Sequence, residues 1–259
     1  MTSGAATGAR PATAGRTRTF RVARADGSGT AHYRVYEVPE APRMTVLDGL
    51  LYIQRHLDRS LAFRYNCRAM MCGSCGVRVN GIERLACSTR LSGIPHAVVA
   101  VEPLRNLPVV ADLVVAFDPF FETWRAVQPG FVPSAARRTA AEPARIAPDA
   151  PERRTIDPHR ECISCGICYS ACDVVAVSPG FLGPAAITRA FCAVHDSRDA
   201  GRKARLDALD RERGCWRCHT HGACAELCPK GLNPVEAIAS MKRMLARRAL
   251  GGVVRLGRS

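Results

Sequence analysis

Two cysteine runs in the C-terminal half constrain this chain more than any other feature. The first is Cys162-x2-Cys165-x2-Cys168-x3-Cys172. The second, Cys218-x2-His221-x2-Cys224-x3-Cys228-Pro229, repeats the spacing with histidine in place of one cysteine. Paired runs of this kind hold two cubane iron–sulfur clusters: the first three cysteines of a run bind one cubane and the fourth crosses to the other. The crossing rule gives Cys162, Cys165, Cys168 and Cys228 to one centre, a full thiolate set suited to [4Fe–4S]. It gives Cys172, Cys218 and Cys224 to the other. The simplest cluster with three thiolates is [3Fe–4S]. Zinc sites also use C-x2-C pairs, but interlocked runs with exchanged fourth ligands match zinc poorly.

A third set lies upstream. Cys67-x4-Cys72-x2-Cys75-x11-Cys87 has the plant-type [2Fe–2S] spacing, with a zinc knuckle or redox dithiol as the competing readings. Gly73 and Gly76 let the backbone approach the cluster closely. The flanking pattern predicts a small mixed sheet. Phe20 and Val22 alternate with polar residues, Asp26-Gly27 begins a turn, and Tyr33, Val35 and Val38 return. Thr45 caps a helix with Asp48 in its first turn and Leu47, Leu50, Leu51 and Leu57 as its apolar face. Short strands follow over 61–65 and through Val77 and Val79. Asn80-Gly81 makes a tight turn, Leu85-Ala86-Cys87 returns the fourth ligand, and Val98, Val99 and Val101 add a further strand. Residues 17–115 therefore read as a β-grasp, plant-type ferredoxin-like domain.

Phe117, Phe120, Phe121 and Trp124 share one helix face, read as packing between domains rather than as a cofactor contact. Over 116–158 a connecting helix gives way to a linker broken by Pro129, Pro133, Pro143, Pro148, Pro151 and Pro158. From 159 to 250 the expectation is an α-helical domain of the bacterial two-cluster ferredoxin type, so the fold class is α+β. Pro184 opens a helix with Ile187, Phe191 and Val194 inward. The charged stretch 196–213 is expected to face solvent. Asn233 and Pro234 start a last helix with Val235, Ile238, Met241 and Leu245 inward, and Lys242, Arg243, Arg247 and Arg248 crowd its end. Residues 1–16 and 251–259 read as tails, the first without a secretory pattern.

Composition narrows the function classes. Thirteen cysteines in 259 residues, at these spacings, point to metal in a reducing compartment and not to a disulfide scaffold. Cys192 and Cys215 are surplus and read as buried, unreactive thiols, although Cys215-x2-Cys218 has redox-dithiol spacing. His221 either ligates a fourth iron or fills space beside a three-iron cluster. The second reading is preferred because thiolates dominate such sites. No apolar run is long enough to span a bilayer. A net charge of +14 comes without a nucleic-acid motif, so a solvated arginine-rich surface, an acidic partner or an anionic membrane remain. A dinucleotide-binding G-x-G-x-x-G is absent, and no substrate site is legible.

Together the motifs carry a resemblance. Phe63-Arg64-x2-Cys67-Arg68-x3-Cys72-Gly73-Ser74-Cys75, Leu85-Ala86-Cys87, Pro108-Val109-x2-Asp112-Leu113, Glu161-Cys162-Ile163-x-Cys165, Asp196-Ser197-Arg198-Asp199 and Cys218-His219-x4-Cys224-x3-Cys228-Pro229-Lys230-Gly231-Leu232-Asn233-Pro234 are similar to those of the iron–sulfur subunit of succinate dehydrogenase/fumarate reductase, over roughly 17–250. The resemblance implies an electron-transfer subunit without a substrate site. A partner flavoprotein subunit holds FAD and interconverts succinate and fumarate. Single electrons pass through [2Fe–2S], [4Fe–4S] and [3Fe–4S] to a quinone held near membrane-anchor subunits, which place the complex on the cytoplasmic face of the bacterial inner membrane. His219 stands where relatives approach the quinone. Asp173 and Val177 stand where many relatives carry proline and tryptophan. The alternative is a fumarate reductase or related soluble reductase subunit with a non-quinone electron partner.

Overall fold

The computed structural model describes residues 16–25, 32–134, 143 and 145–256. The Asp26-Gly27 turn and all but Arg16 of the N-terminal tail lie outside the described residues. Strands β1 (Thr17–Arg24) and β2 (His32–Pro39) pair antiparallel. With β3 (Gly76–Val79), β4 (Ile82–Leu85) and β5 (Val98–Glu102) they form a sheet of order β2-β1-β5-β3-β4, in which β1 and β5 run parallel. Asn80 (φ 49°) and Gly81 (φ 83°) turn β3 into β4, both left-handed as a tight hairpin requires. Strands β6 (Val109–Ala111) and β7 (Val114–Val115) make a separate ribbon.

Helix α1 (Val46–Tyr52) opens on a capping box: Thr45 Oγ1 accepts from the Asp48 N–H, and Asp48 accepts from the Thr45 N–H. It buries Val46, Leu47, Leu50 and Leu51 against the sheet. A Cβ on Gly49 would lie 2.2 Å from the Phe20 ring, so glycine sets how closely helix and sheet approach. One π-helical turn, Ile53–Leu57, follows and rotates Leu57 off the apolar face into solvent. Tyr33 and Val35 are also exposed, while Val38 is buried as expected, with Tyr36 beside it on the core face. Alternation is confined to the second half of β2, because residues 32–35 are exposed throughout.

Residues 61–65 are not a strand. Their backbone groups find single partners instead of a ladder: the Gln54 amide donates to Leu61 O, Ala62 N–H to Asp112, and Leu113 N–H to Ala62 O. Buried Arg24 ties this segment to the hairpin through Asp112 at 2.8 Å and Asp58 at 2.6 Å.

The remainder is helical. Helices α2 (Asp118–Ala126), α3 (Pro151–Arg160), α4 (Ile167–Ser170), α5 (Asp173–Val177), α6 (Gly183–His195), α7 (Arg202–Leu209), α8 (Ala223–Glu226) and α9 (Pro234–Leu256) follow in order. Three expectations are corrected here. The proline-rich stretch contains α3, because Pro151 occupies the first helical turn, where no N–H is needed, and Pro158 sits near the end. The charged stretch 196–213 is not solvent-facing throughout, since Arg205, Leu206 and Leu209 of α7 are buried. Helix α9 runs on to Leu256, so Lys242, Arg243, Arg247 and Arg248 lie along its middle and not at its end.

Two cores result. One lies between sheet and α1 and extends into the second half through Ile167, Tyr169 and Ala185. The other is built from α6, α7 and α9 around Ile187, Phe191, Leu209, Ile238, Met241 and Leu245.

Candidate functional site

The upstream cysteines sit on the loop between the 61–65 segment and β3, with Cys87 just beyond β4. Arg68 (φ 56°), Met70 (φ 57°) and Gly73 (φ 73°) are left-handed, which curls the loop so that its amides point inward. The N–H groups of Ala69, Met71 and Cys72 all donate to Cys67 Sγ, at 3.4, 3.3 and 3.3 Å. Such donors stabilise a thiolate. Hydrogen bonding from Ser74 brings the Cys72 thiol down to about 6. Burial pushes Cys75, which adjoins Cys87, up to about 12. None of these cysteines is in a disulfide. The rim is exposed and partly apolar: Tyr65, Met70 and Met71 face solvent, and the Arg68 guanidinium lies 5.3 Å from the Tyr65 ring centre.

A second group of thiols lines a cavity between α4, α6 and the start of α9. Cys162, Cys165, Cys168 and Cys228 surround it, with Phe120, Thr188 and Leu232. Cys228 therefore leaves its own run and joins the first three cysteines of the other. Burial raises the Cys162 and Cys168 thiols and carries Cys165 up to about 12. The third group reciprocates. Cys172 meets Cys218 and Cys224 around a cavity closed by Phe181, Pro184 and Ile238. Burial raises Cys172 and pushes Cys224 up to about 12. Left-handed Ser164, Gly166, Thr220 and Gly222 reverse the chain within the two runs.

His221 borders the third cavity but is more than half exposed, and its Nδ1 lies 3.8 Å from Asp173 Oδ2 at the mouth. His219 lies between this cavity and an outward cleft formed with Val174, Val177, Ser178, Arg213 and Arg217. Val177 is 79% exposed and Trp216 46%, leaving an apolar surface beside Arg213 and the Arg217–Glu212 ion pair. The Lys242 ammonium donates to Cys218 O at 2.6 Å. Cys192 and Cys215 are buried and line neither inner cavity, although the Cys218 N–H donates to Cys215 O at 3.2 Å, and burial lifts their thiols to about 11 and about 12.

The donor sets fit iron–sulfur clusters. Among the described residues no three His, Cys, Asp or Glu side chains converge closely enough to hold a single metal ion, whereas tetrahedral zinc draws four sulfurs to about 2.3 Å from one point. The thiols instead rim cavities. Because burial raises Cys162, Cys165, Cys168, Cys172 and Cys224, loading of the two buried centres must release protons as thiolates form.

The centres adjoin. A Cβ on Gly73 would lie 2.8 Å from Cys165 Cβ, and one on Gly76 would lie 3.2 Å from Cys165 O. The glycines thus serve the junction with the second half as well as the loop, a role that spacing within one run cannot disclose. Sequence reasoning also missed Glu83, Arg105, Asn106 and Ser170, which join the halves; only their distance in space, not in the chain, relates them.

Each half of the chain matches a known family. Residues 18–122 match the 2Fe-2S iron-sulfur cluster binding domain family, and residues 159–232 the 4Fe-4S dicluster domain family. The chain is 42% identical over 224 residues to a fumarate reductase iron-sulfur subunit of Mycobacterium tuberculosis, covering 84% of this chain and 87% of that one. It is 36% identical to a mitochondrial succinate dehydrogenase [ubiquinone] iron-sulfur subunit of Oryza sativa subsp. japonica, over 88% of this chain and 82% of the relative. Among solved structures it resembles a chain of the Mycobacterium smegmatis Sdh1 complex with a TM-score of 0.82 and 30% identity, covering 91% of this chain and 98% of that chain.

Proposed function

This chain belongs to the iron–sulfur subunits of succinate dehydrogenase/fumarate reductase, and from that premise we propose the following assignment of its residues. Cys67, Cys72, Cys75 and Cys87 bind [2Fe–2S]; Cys162, Cys165, Cys168 and Cys228 bind [4Fe–4S]; Cys172, Cys218 and Cys224 bind [3Fe–4S]. When loaded, these groups accept and release one electron at a time, dividing the two-electron chemistry of the flavin on the partner subunit. The chain is thus the electron-relay subunit of a succinate:quinone oxidoreductase and has no substrate site of its own.

The residues explain how the relay is held. Backbone amides on Cys67 stabilise negative charge at the first centre. Gly73 and Gly76 bring that loop against Cys165. Phe120, Leu232 and Ile238 surround the inner centres with apolar side chains, which excludes water and favours tight packing. His221 turns to Asp173 and leaves the third centre with three thiolates.

The two exposed ends suit two docking partners. The rim of Tyr65, Met70 and Met71 faces the flavoprotein. Val177, Trp216 and His219 face the quinone and the anchor subunits. Among the described residues no helix is long and apolar enough to cross a membrane. We place the chain peripherally, on the cytoplasmic face of the inner membrane, through those anchors. We divide it into a [2Fe–2S] domain at 17–115, a connecting segment at 116–158 and a two-cluster domain at 159–250.

The observation that carries this reading is the exchange of Cys172 and Cys228 between two cavities. The test is isolation of the native membrane complex, with assay of succinate-dependent quinone reduction and of fumarate reduction by quinol. A colourless preparation that contains zinc without acid-labile sulfide overturns it.

A further inference from the structure

Besides the Gly73 junction, the two halves meet at a hydrogen-bonded clamp that no step above uses. Arg105 and Asn106 follow β5 and lie against Tyr169–Cys172, the segment that leads from the second centre to the third. The Asn106 side-chain amide donates to three carbonyls there: Tyr169 O at 3.1 Å, Ser170 O at 3.0 Å and Cys172 O at 3.2 Å. Its two hydrogens are shared among three acceptors. The Arg105 N–H donates to Ser170 Oγ at 2.7 Å, and that hydroxyl donates to Glu83 Oε1 at 3.1 Å. Ser170 is fully buried and Glu83 nearly so.

Helix α4 has only four residues, so its last carbonyls lack helical partners. Asn106 caps them from outside the helix and from the other half of the molecule. Both ends of the Cys172 backbone are involved. Its carbonyl accepts from Asn106, and its N–H donates at 3.3 Å to Tyr169 O, which Asn106 also holds. Asn106 itself is left-handed, with φ 62°, a conformation that asparagine tolerates better than most residues.

We propose that Asn106 is a positioning residue for the third cluster: it fixes the backbone of the crossing ligand Cys172, so the [2Fe–2S] half of the chain sets the geometry and potential of the [3Fe–4S] centre. The inference rests on the ligand assignment above. Hydrogen bonding and oriented dipoles around a ligand tune cluster potentials. The amide hydrogens bring positive charge next to the Cys172 carbonyl, which favours the reduced cluster.

The test is redox-titrated EPR of the iron-loaded complex carrying Asn106→Gly or Asn106→Asp. Both variants tolerate the left-handed backbone and both lose the donors. The expected result is a downward shift of the [3Fe–4S] midpoint in each, larger for Asn106→Asp, with a broadened signal. The [2Fe–2S] and [4Fe–4S] midpoints stay at their wild-type values. An unchanged [3Fe–4S] midpoint and line shape overturns the proposal, as does a common shift of all three centres, which marks a merely structural contact. Wild-type complex lacking a [3Fe–4S] signal instead overturns the ligand assignment itself.

Discussion

A cysteine's partners in this chain are chosen by the path of the backbone and not by its own run. Cys228 belongs to the second run yet lines the first cubane's cavity, and Cys172 does the reverse. Cys228→Ser is therefore expected to abolish the [4Fe–4S] EPR signal while the [3Fe–4S] signal persists, and Cys172→Ser to do the opposite. Each variant striking the centre of its own run sinks the crossing. These ligands were legible because short fixed spacings on a reversing loop leave few geometries. Two other cysteines read as surplus and buried; they are buried, and that burial supplies a test. Cys192 and Cys215 are raised from an ordinary thiol value of 9.0 to about 11 and about 12. Folded and unfolded chains both hold these protons below pH 9, so the contribution to stability is intact there. Above it the unfolded chain releases protons that the folded one keeps, and stability falls as pH climbs through 9 toward 12. Thermal melts of wild type and the Cys192→Ala/Cys215→Ala variant should diverge less as pH rises over that window. Parallel profiles would remove the thiols from the explanation.

At the scale of elements, patterns of period and capping transferred well and long-range polar partners did not. The Thr45–Asp48 capping box and the Asn80-Gly81 turn are local chemistry, and both stand where the residues place them. The 61–65 segment failed because Asp112 and Gln54 satisfy its backbone from elsewhere. The charged stretch 196–213 failed for a related reason: Arg205 is fully buried, bonded to Asp199 and to Gln128 O. Asp199 in turn accepts from Val132 N–H, so this pair fastens the start of the linker to α7. Arg205→Met strands a buried carboxylate and should cost about 3–5 kcal/mol. Asp199→Asn in addition should recover part of it, because no unpaired charge remains. Denaturant midpoints of the single and double variants decide this, and equal losses in both would mean that the charge pair is not the cause.

Over the whole molecule the domain motifs foretold two units, but not that they share a core. Phe120, on the helix after the sheet domain, packs edge-on against Tyr169 of the two-cluster half at 5.6 Å. Phe117 closes on Gly166, where a Cβ would lie 2.9 Å from its ring. Tyr169 and Ile167 join the same apolar cluster as the sheet residues Phe20, Val99 and Val101. The aromatic face at 117–124 packs between the halves as expected, but Phe120 also lines the cavity of Cys162, Cys165, Cys168 and Cys228; which residues it meets could not be seen, since Tyr169 lies in a cysteine run read for its ligands. A core common to both halves binds their stabilities together. Loss of [2Fe–2S] absorbance and loss of helical circular dichroism should then coincide in one transition. Phe120→Ala, at a cost of about 3–5 kcal/mol, should lower both midpoints by the same amount. If visible absorbance survives after the helices have melted, the sheet domain stands alone, and the relay is two units in contact, not one folded body.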